Sequence, residues 1–218
     1  MSLARYRRKR NLKATPEPPG EVGMSEREHL IFVVQKHRAS HLHYDFRLEW
    51  KGVLLSWAVP KGPCLDPSVK RLAIRTEDHP LEYANFEGVI PDAEYGAGTV
   101  MVWDKGTWKP DSPDVDSALR RGELKFTLDG EKLKGAWVLV GTPGYGSSSG
   151  RLSWLLIKHR DQYATKRDIL VEQPYSALTQ RLLAQIVRDG GGEVEEAASG
   201  DPEPQTTARF EEVDAITD

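Results

Sequence analysis

The sequence predicts a mainly β fold, a small closed or nearly closed antiparallel β-barrel with short peripheral helices. Three observations carry that prediction. Short apolar-rich segments recur from Ile31 to Ile157, turn residues separate them, and helical periodicity is scarce between those limits. At 218 residues and 39% hydrophobic content, the chain can bury one real core. Its single cysteine, Cys64, excludes an internal disulfide and a thiolate metal cluster, so the core must hold the fold without staples.

The elements follow in chain order. Residues 1–13 carry six basic groups and no acidic one, a composition suited to contact with a phosphate backbone. The PEPPGE segment at 16–21 is too proline-rich for a helix interior and reads as an extended lead-in, so residues 1–28 form an arm. Strands are expected at IFVVQ, HLHYDFRLEW, VLLSWAVP, RLAIRT, TVMVWD, ELKFTLDGEKLKGAWVLV and WLLIK. Asp129-Gly130 marks a hairpin turn inside the sixth. One helix is expected near the end of the core, because Leu178, Leu182, Leu183, Ile186 and Val187 share a face. Ser176 would be its N-cap, and Gly190-Gly191-Gly192 would stop it. The barrel domain is assigned to residues 29–189. Residues 190–218 hold nine acidic groups against one basic and are expected to form a disordered tail. No apolar run is long enough to span a bilayer and no signal peptide is recognisable, so a soluble cytoplasmic protein is expected.

The stretch HLHYDFRLEW alternates strictly: His41, His43, Asp45, Arg47 and Glu49 against Leu42, Tyr44, Phe46, Leu48 and Trp50. On a strand, one face would then carry two imidazoles, two carboxylates and a guanidinium. Solvated strand faces usually carry Lys, Glu, Thr and Ser, so this set points to chemistry. His43 and Asp45 are placed to share an ion, and a bend or bulge at residues 38–40 would bring His37 to it. Two imidazoles and one carboxylate suit Mn²⁺, Fe²⁺, Zn²⁺ or Co²⁺ and leave coordination positions open. Arg47 beside such an ion is placed to clamp a phosphate or carboxylate. Lys61 in a PKGP turn, Lys70 and Arg71 at the start of RLAIRT, and His79 in EDHP are further candidates, although surface charge alone accounts for the three cations. His41 and Glu49 are read as surface or supporting groups, His29 and His159 as inert, and the six Trp residues as core.

Six segments now carry a resemblance: YRRKRNLKATPEPPGE, FVVQKHRASHLHYDFRLEWKGVLLSWAVPKGP, KRLAIRTEDHPLEYANFEGVIP, EYGAGTVMVWDKGTW, GEKLKGAWVLV and WLLIKHRDQYA. Together, from about Tyr6 to about Val187, they resemble the 3′-phosphoesterase domain of bacterial DNA ligase D. The resemblance implies a metal-dependent, Mn²⁺-preferring enzyme, with Co²⁺ as another usable metal. It would remove a 3′-terminal ribonucleoside from DNA as a phosphodiesterase, then hydrolyse the remaining 3′-phosphate to a 3′-OH. Carried across, the metal ligands fall on His37, His43 and Asp45. The catalytic groups fall on Arg47, His79, Tyr83 and Glu17, and further polar site residues on Gln35, Lys61 and Arg71. Arg47 and His79 would balance charge on the phosphate, Tyr83 would donate to a phosphate oxygen, and Glu17 would orient a ligand or water.

The implied partners are primer–template 3′ ends, including ends with ribonucleotides, with Ku and a separate DNA ligase as candidate protein partners and the nucleoid as the place of action. With no room for a ligase or polymerase domain, the expectation is a stand-alone phosphoesterase. Two positions depart from the family pattern, Ala93 and Gln180, where glycine is usual. Two other readings stay open from the residues themselves. His43-x-Asp45 is also half of the facial triad of a non-haem Fe(II) oxygenase, with His159 or His79 as distal ligand. A non-catalytic DNA-end-binding module would stack bases on Trp50, Trp57, Trp103 and Trp108.

Overall fold

The computed structural model describes residues 2–23, 29–142, 153–192 and 194–202. In chain order the elements are α1 (Ala4–Lys9), β1 (Leu30–Arg38), β2 (Leu42–Trp50), β3 (Val53–Val59), β4 (Arg71–Arg75) and β5 (His79–Pro80). A 3₁₀ turn (Leu81–Asn85), β6 (Gly88–Ile90), β7 (Gly98–Pro110), α2 (Val115–Arg121), β8 (Glu123–Gly130) and β9 (Lys134–Thr142) come next. β10 (Ser153–Lys158), α3 (Ile169–Glu172), α4 (Leu183–Gly190) and α5 (Val194–Ala198) complete the described chain. Eight strands close a ring in the order β1-β2-β3-β4-β10-β9-β8-β7, with β7 pairing back onto β1. Every pairing is antiparallel, so the expected closed barrel is what forms. β5 and β6 are short additions on β3 and β7. No helix among the described residues is long and apolar enough to cross a membrane.

Alternation along the strands decides which side chains enter the barrel. The Phe46 ring of β2 lies 5.9 Å from Phe126 of β8, although two strands separate them around the ring. Trp57 of β3 and Trp154 of β10 meet across the single strand β4 at 6.1 Å, edge to face. The even-numbered face of β2 therefore looks into the barrel, and its odd-numbered polar face looks out. β8 shows the ordinary consequence, alternating exposed and buried along its whole length. β2 does not: from Tyr44 to Glu49 it is buried on both faces. Something covers the polar face of β2, and that cover builds the site.

Turn chemistry sets the registers. Lys51 and Gly52 both have positive φ, 50° and 78°, as the two-residue type I′ turn between β2 and β3 requires. At Asp129-Gly130 the reversal comes later than the sequence predicts. Both residues still belong to β8, pairing with Lys134 and Gly106, and residues 131–133 make the turn. Asp104 causes the delay, because its buried carboxylate accepts from the backbone N–H groups of Lys132 and Leu133 at 3.0 and 2.8 Å. Asp104 follows a bulge at Trp103, where the β1–β7 register steps from Val34↔Asp104 to Gln35↔Val102.

The C-terminal part differs from expectation twice. Ser176 caps a separate turn, its hydroxyl accepting from the backbone N–H of Leu178 and Thr179, while α4 begins at Leu183 and leaves Leu178 exposed. The first N–H groups of α4, from Leu183 and Ala184, donate instead to the carboxylate of Asp201. Residues 190–202 are therefore not a disordered tail where described: α5 buries Ala197, and Asp201 also lies 3.6 Å from the buried Lys36 ammonium. The expectation for residues 203–218 lies outside the described residues.

The backbone at Gln180 suits the glycine that the resemblance leads one to expect there. Its φ of 58° is left-handed, where glycine is unstrained and a side chain costs energy. Among the described non-glycine residues only Lys51 shares a positive φ, so Ala93 carries no such strain. Gln180→Gly is expected to stabilise the fold by about 0.5–1 kcal/mol. The check is a higher urea midpoint at unchanged denaturant slope.

Candidate active site

Three adjacent strands bring the predicted polar residues together. In the β1–β2 ladder Gln35 pairs with Asp45 and His37 with His43, and in the β2–β3 ladder Arg47 pairs with Ser56. His37 thus reaches His43 by hairpin register, the chain bending at 39–41, which includes part of the 38–40 segment where a bend was expected. β5 places His79 opposite Leu54. The cover over this face comes from two directions: the 3₁₀ turn brings Tyr83, and the N-terminal segment brings Tyr6, Arg10 and Glu17. Residues 4–9 are helical, and Tyr6 is fully buried with its hydroxyl donating to Pro18 carbonyl at 2.7 Å. The basic arm is part of the folded site.

The His37, His43 and Asp45 donor atoms lie within 4.8 Å of one another. Asp45 Oδ2 is 3.8 Å from His37 Nδ1 and 3.9 Å from His43 Nε2. His43 Nδ1 lies 3.0 Å from the His41 carbonyl; donating its proton there leaves the Nε2 lone pair aimed at Asp45. Burial lowers the His43 pKa and favours the neutral, ligating imidazole. Burial opposes ionisation of Asp45, but the Arg47 guanidinium and the neighbouring imidazoles outweigh it and hold the carboxyl far below its usual range. His37 Nε2 is buried with no hydrogen-bond partner among the described residues. This donor set and the orphaned nitrogen fit a divalent transition-metal ion.

Beside the donor group sits a second cluster. Arg47 donates from Nε to Gln35 Oε1 at 2.8 Å and from Nη2 to Asp45 at 3.0 Å, and its Nη1 lies 2.9 Å from His79 Nδ1. On the far side of the imidazole, Arg10 Nη2 is 3.2 Å from His79 Nε2. Burial and these two guanidiniums push the His79 pKa well below its ordinary value, so the ring is neutral. Nδ1 also lies 3.0 Å from the Glu77 carbonyl. A neutral ring has one acceptor nitrogen, so it accepts from one of the two guanidiniums, Arg47 at Nδ1 or Arg10 at Nε2. Arg10 also donates to Glu17 at 2.8 Å and stacks over Tyr6, 4.0 Å from its ring centroid. Glu17 further accepts from Thr15 and from the Tyr83 hydroxyl, at 3.0 and 2.9 Å. Burial and then Glu17 raise the Tyr83 pKa well above 10.

His37, His43, Asp45, Arg47, His79 and Tyr83 all line one cavity of about 180 Å³. Glu17 and Gln35 are buried behind it; Gln35 donates to the Tyr83 and Phe86 carbonyls and braces the 3₁₀ turn. The Tyr83 hydroxyl donates to Glu17, which also meets Arg10 and Thr15. Lys61 is exposed in its turn and Arg71 lies on β4; neither lines the cavity. Of the two readings left open for Glu49, surface or supporting, the structure has it buried, accepting from the Ile31 N–H at 2.9 Å. His159 neither lines the cavity nor belongs to the donor group, and His79 is held between arginines, outside that group.

Arg10, Glu77 and Tyr95 also line the cavity, and the sequence reading did not single them out. Glu77 is the first residue of the quoted EDHP, but there only His79 was singled out. It binds Lys9 at 2.8 Å and Arg10 at 3.2 Å, pinning the arm to the barrel. Burial opposes its ionisation, yet the Lys9 and Arg10 contacts hold its pKa below 4.5. A depressed folded pKa stabilises above the unfolded value and loses that stability as pH falls through the folded one. Glu77→Gln is therefore expected to cost about 1–3 kcal/mol at neutral pH. It should also flatten the fall in melting temperature between roughly pH 5 and pH 3 relative to wild type.

Comparison with known proteins bears on the same residues. Residues 35–141 match the family model described as the DNA Ligase D 3′-phosphoesterase domain. The chain is 53% identical over 185 residues to the multifunctional non-homologous end joining protein LigD of Pseudomonas aeruginosa, covering 83% of this chain and 22% of that protein. It is 49% identical over 142 residues to the LigD of Mycobacterium tuberculosis, 65% of this chain and 18% of the relative. It is 42% identical over 166 residues to the LigD of Mycolicibacterium smegmatis, 73% and 21%. The chain spans about a fifth of the length of these curated relatives. By the family match over the β1-to-β9 region and these identities, the chain belongs to the DNA ligase D 3′-phosphoesterase domain family.

Proposed function

We propose that this chain is a metal-dependent DNA 3′-end-processing phosphoesterase that prepares ends for joining. The observation that carries the reading is the juxtaposition of a His–His–Asp donor group with the Arg47–His79–Arg10 cluster on one small cavity. The family description and the end-joining relatives support the substrate class, a DNA 3′ end. In the first reaction a water oxygen joins the phosphorus, the bond to O5′ of the terminal ribonucleoside breaks, and the nucleoside leaves with a proton. The strand keeps a 3′-phosphate. In the second, water again attacks phosphorus, the bond to O3′ breaks, and inorganic phosphate leaves a 3′-OH.

The residues divide that work. His37, His43 and Asp45 would hold the ion, Mn²⁺ by family preference with Co²⁺ as a substitute, which when bound supplies Lewis-acid polarisation of phosphate and a more acidic water. Arg47 has five N–H groups, of which the Gln35 and Asp45 contacts occupy two and the His79 contact at most a third. At least two are left for phosphate oxygens, where a planar guanidinium binds bidentately. His79 keeps Arg47 and Arg10 apart and oriented while staying neutral itself. Glu17 and Tyr83 fix Arg10 from behind, so their roles are positional.

The test uses a 5′-labelled primer on a longer template, ending in one ribonucleotide or in a 3′-phosphate. With Mn²⁺ the ribonucleoside and then the phosphate should be lost, and EDTA should abolish both conversions. Disturbing groups behind a metal ligand costs about 10–100-fold, so removing a ligand by His43→Ala should cost about 100-fold or more. No conversion by a folded, metal-loaded sample would sink the proposal. Arg47→Lys keeps the charge but cannot reproduce three directed contacts, and a loss of about 10-fold or more in kcat is expected. A fully active Arg47→Lys protein would remove Arg47 from the phosphate contact.

A further inference from the structure

We propose that Tyr95 is the platform on which the nucleobase flanking the scissile phosphate stacks, a position that rests on the phosphoesterase reading of the cavity. The cavity encloses about 180 Å³, below the ~300–1,000 Å³ of sites that surround a drug-sized ligand. A phosphate enters it, but a nucleoside does not fit beside the phosphate, so the base must lie outside against the rim. Tyr95 stands on that rim, lining the cavity while 48% exposed. Among the described residues the other strongly exposed aromatic, Tyr163, does not line it. The tryptophans that residue type would nominate are unsuited: Trp57, Trp103 and Trp108 are buried in the core, and half-buried Trp50 donates to Asp116.

The ring is held ready. Two successive turns, closed by Glu94 N–H to Pro91 carbonyl and Ala97 N–H to Glu94 carbonyl, carry Tyr95 and then Gly96 at φ 82°. That positive φ suits a type II turn, and the space at Gly96 is open, with nothing within 4 Å of an added Cβ. Lys9 donates to the Tyr95 hydroxyl at 2.7 Å and sits 4.3 Å from its ring centroid. Lys9 is itself tied to Glu77 at 2.8 Å. A stacking surface fixed before binding loses little entropy when a base arrives, and every base has a face to offer it. The simpler role, a hydroxyl anchor for Lys9, would need the phenol oxygen and not the ring.

The experiment separates the ring from the hydroxyl and from turnover. A primer–template carries 2-aminopurine at the terminal or the penultimate 3′ position and a dye at the primer's 5′ end. Binding is followed by dye anisotropy in EDTA, so that base stacking is read without hydrolysis. Wild type and Tyr95→Phe should quench the 2-aminopurine of the bound primer at one of the two positions. Tyr95→Ala and Tyr95→Leu should abolish the quench and weaken binding about 5- to 150-fold. Undiminished quenching in Tyr95→Ala, or equal loss in Tyr95→Phe and Tyr95→Ala, overturns the proposal, as does an unquenched probe on primer bound by wild type. Absence of hydrolysis in Mn²⁺ would instead count against the phosphoesterase reading, because the quench is read independently of it.

Discussion

Two guanidiniums, those of Arg10 and Arg47, are buried on either side of one imidazole, and the rest of the site is arranged to make that tolerable. Taking a cation out of water costs several kcal/mol unless it is paired and hydrogen-bonded. Arg47 meets that condition through Asp45 and Gln35 from the barrel wall. Arg10 meets it through Glu17 and Glu77, and by stacking on Tyr6. His79 between them has to stay uncharged, since a third cation there would have no anion left to meet. Each carboxylate in the cluster thus meets at least one cation, and Glu77 is shared between Lys9 and Arg10.

That constraint explains why the covering arm and the barrel are inseparable. Arg10, Glu17 and Tyr6 reach the site from a segment that forms no strand, and their partners Glu77, His79 and Tyr83 lie on the stretch around β5. Removing the arm would leave Glu77 and Tyr83 buried without their partners and open the polar face of β2. The site is completed by contacts between residues more than sixty positions apart, such as Arg10 with His79 and Glu17 with Tyr83. The barrel supplies the rigid wall, and the arm turns the wall into a cavity.

The alternation in HLHYDFRLEW made β2 and its polar face legible in the sequence, and the closed barrel followed from strand count and turn signals. What covers that face was not legible from the residues' periodicity, because coverage depends on distant segments; only the resemblance pointed to Glu17 and Tyr83. Glu49 shows this most directly: its position in the alternation is polar and outward, yet packing buries it against the Ile31 amide. Register was missed wherever a side chain overrode local turn chemistry, as Asp104 does at the β8–β9 reversal and Asp201 at the start of α4. The ligand group of His37, His43 and Asp45 was proposed from spacing, but the direct cross-strand pairing of the two imidazoles needed the hairpin register. Arg10 lay within a run of basic residues whose composition distinguishes no member from its neighbours.

The charge inventory of the finished site has its own consequence. Setting the imidazoles aside, Lys9, Arg10 and Arg47 face Asp45, Glu17 and Glu77, three cations against three carboxylates, at distances of 2.8–3.2 Å. The resting cluster is balanced by itself, so a lone dication or a lone phosphate dianion leaves net charge in a poorly hydrated place and binds, but more weakly than the two together. The two together restore the balance. Asp45 is the hinge of this arrangement, because the same Oδ2 that accepts from Arg47 faces both imidazoles. An ion held there weakens the claim of Asp45 on Arg47, and the guanidinium becomes more available to a phosphate beside it. Cation binding and substrate binding on this wall should then favour one another through a single carboxylate.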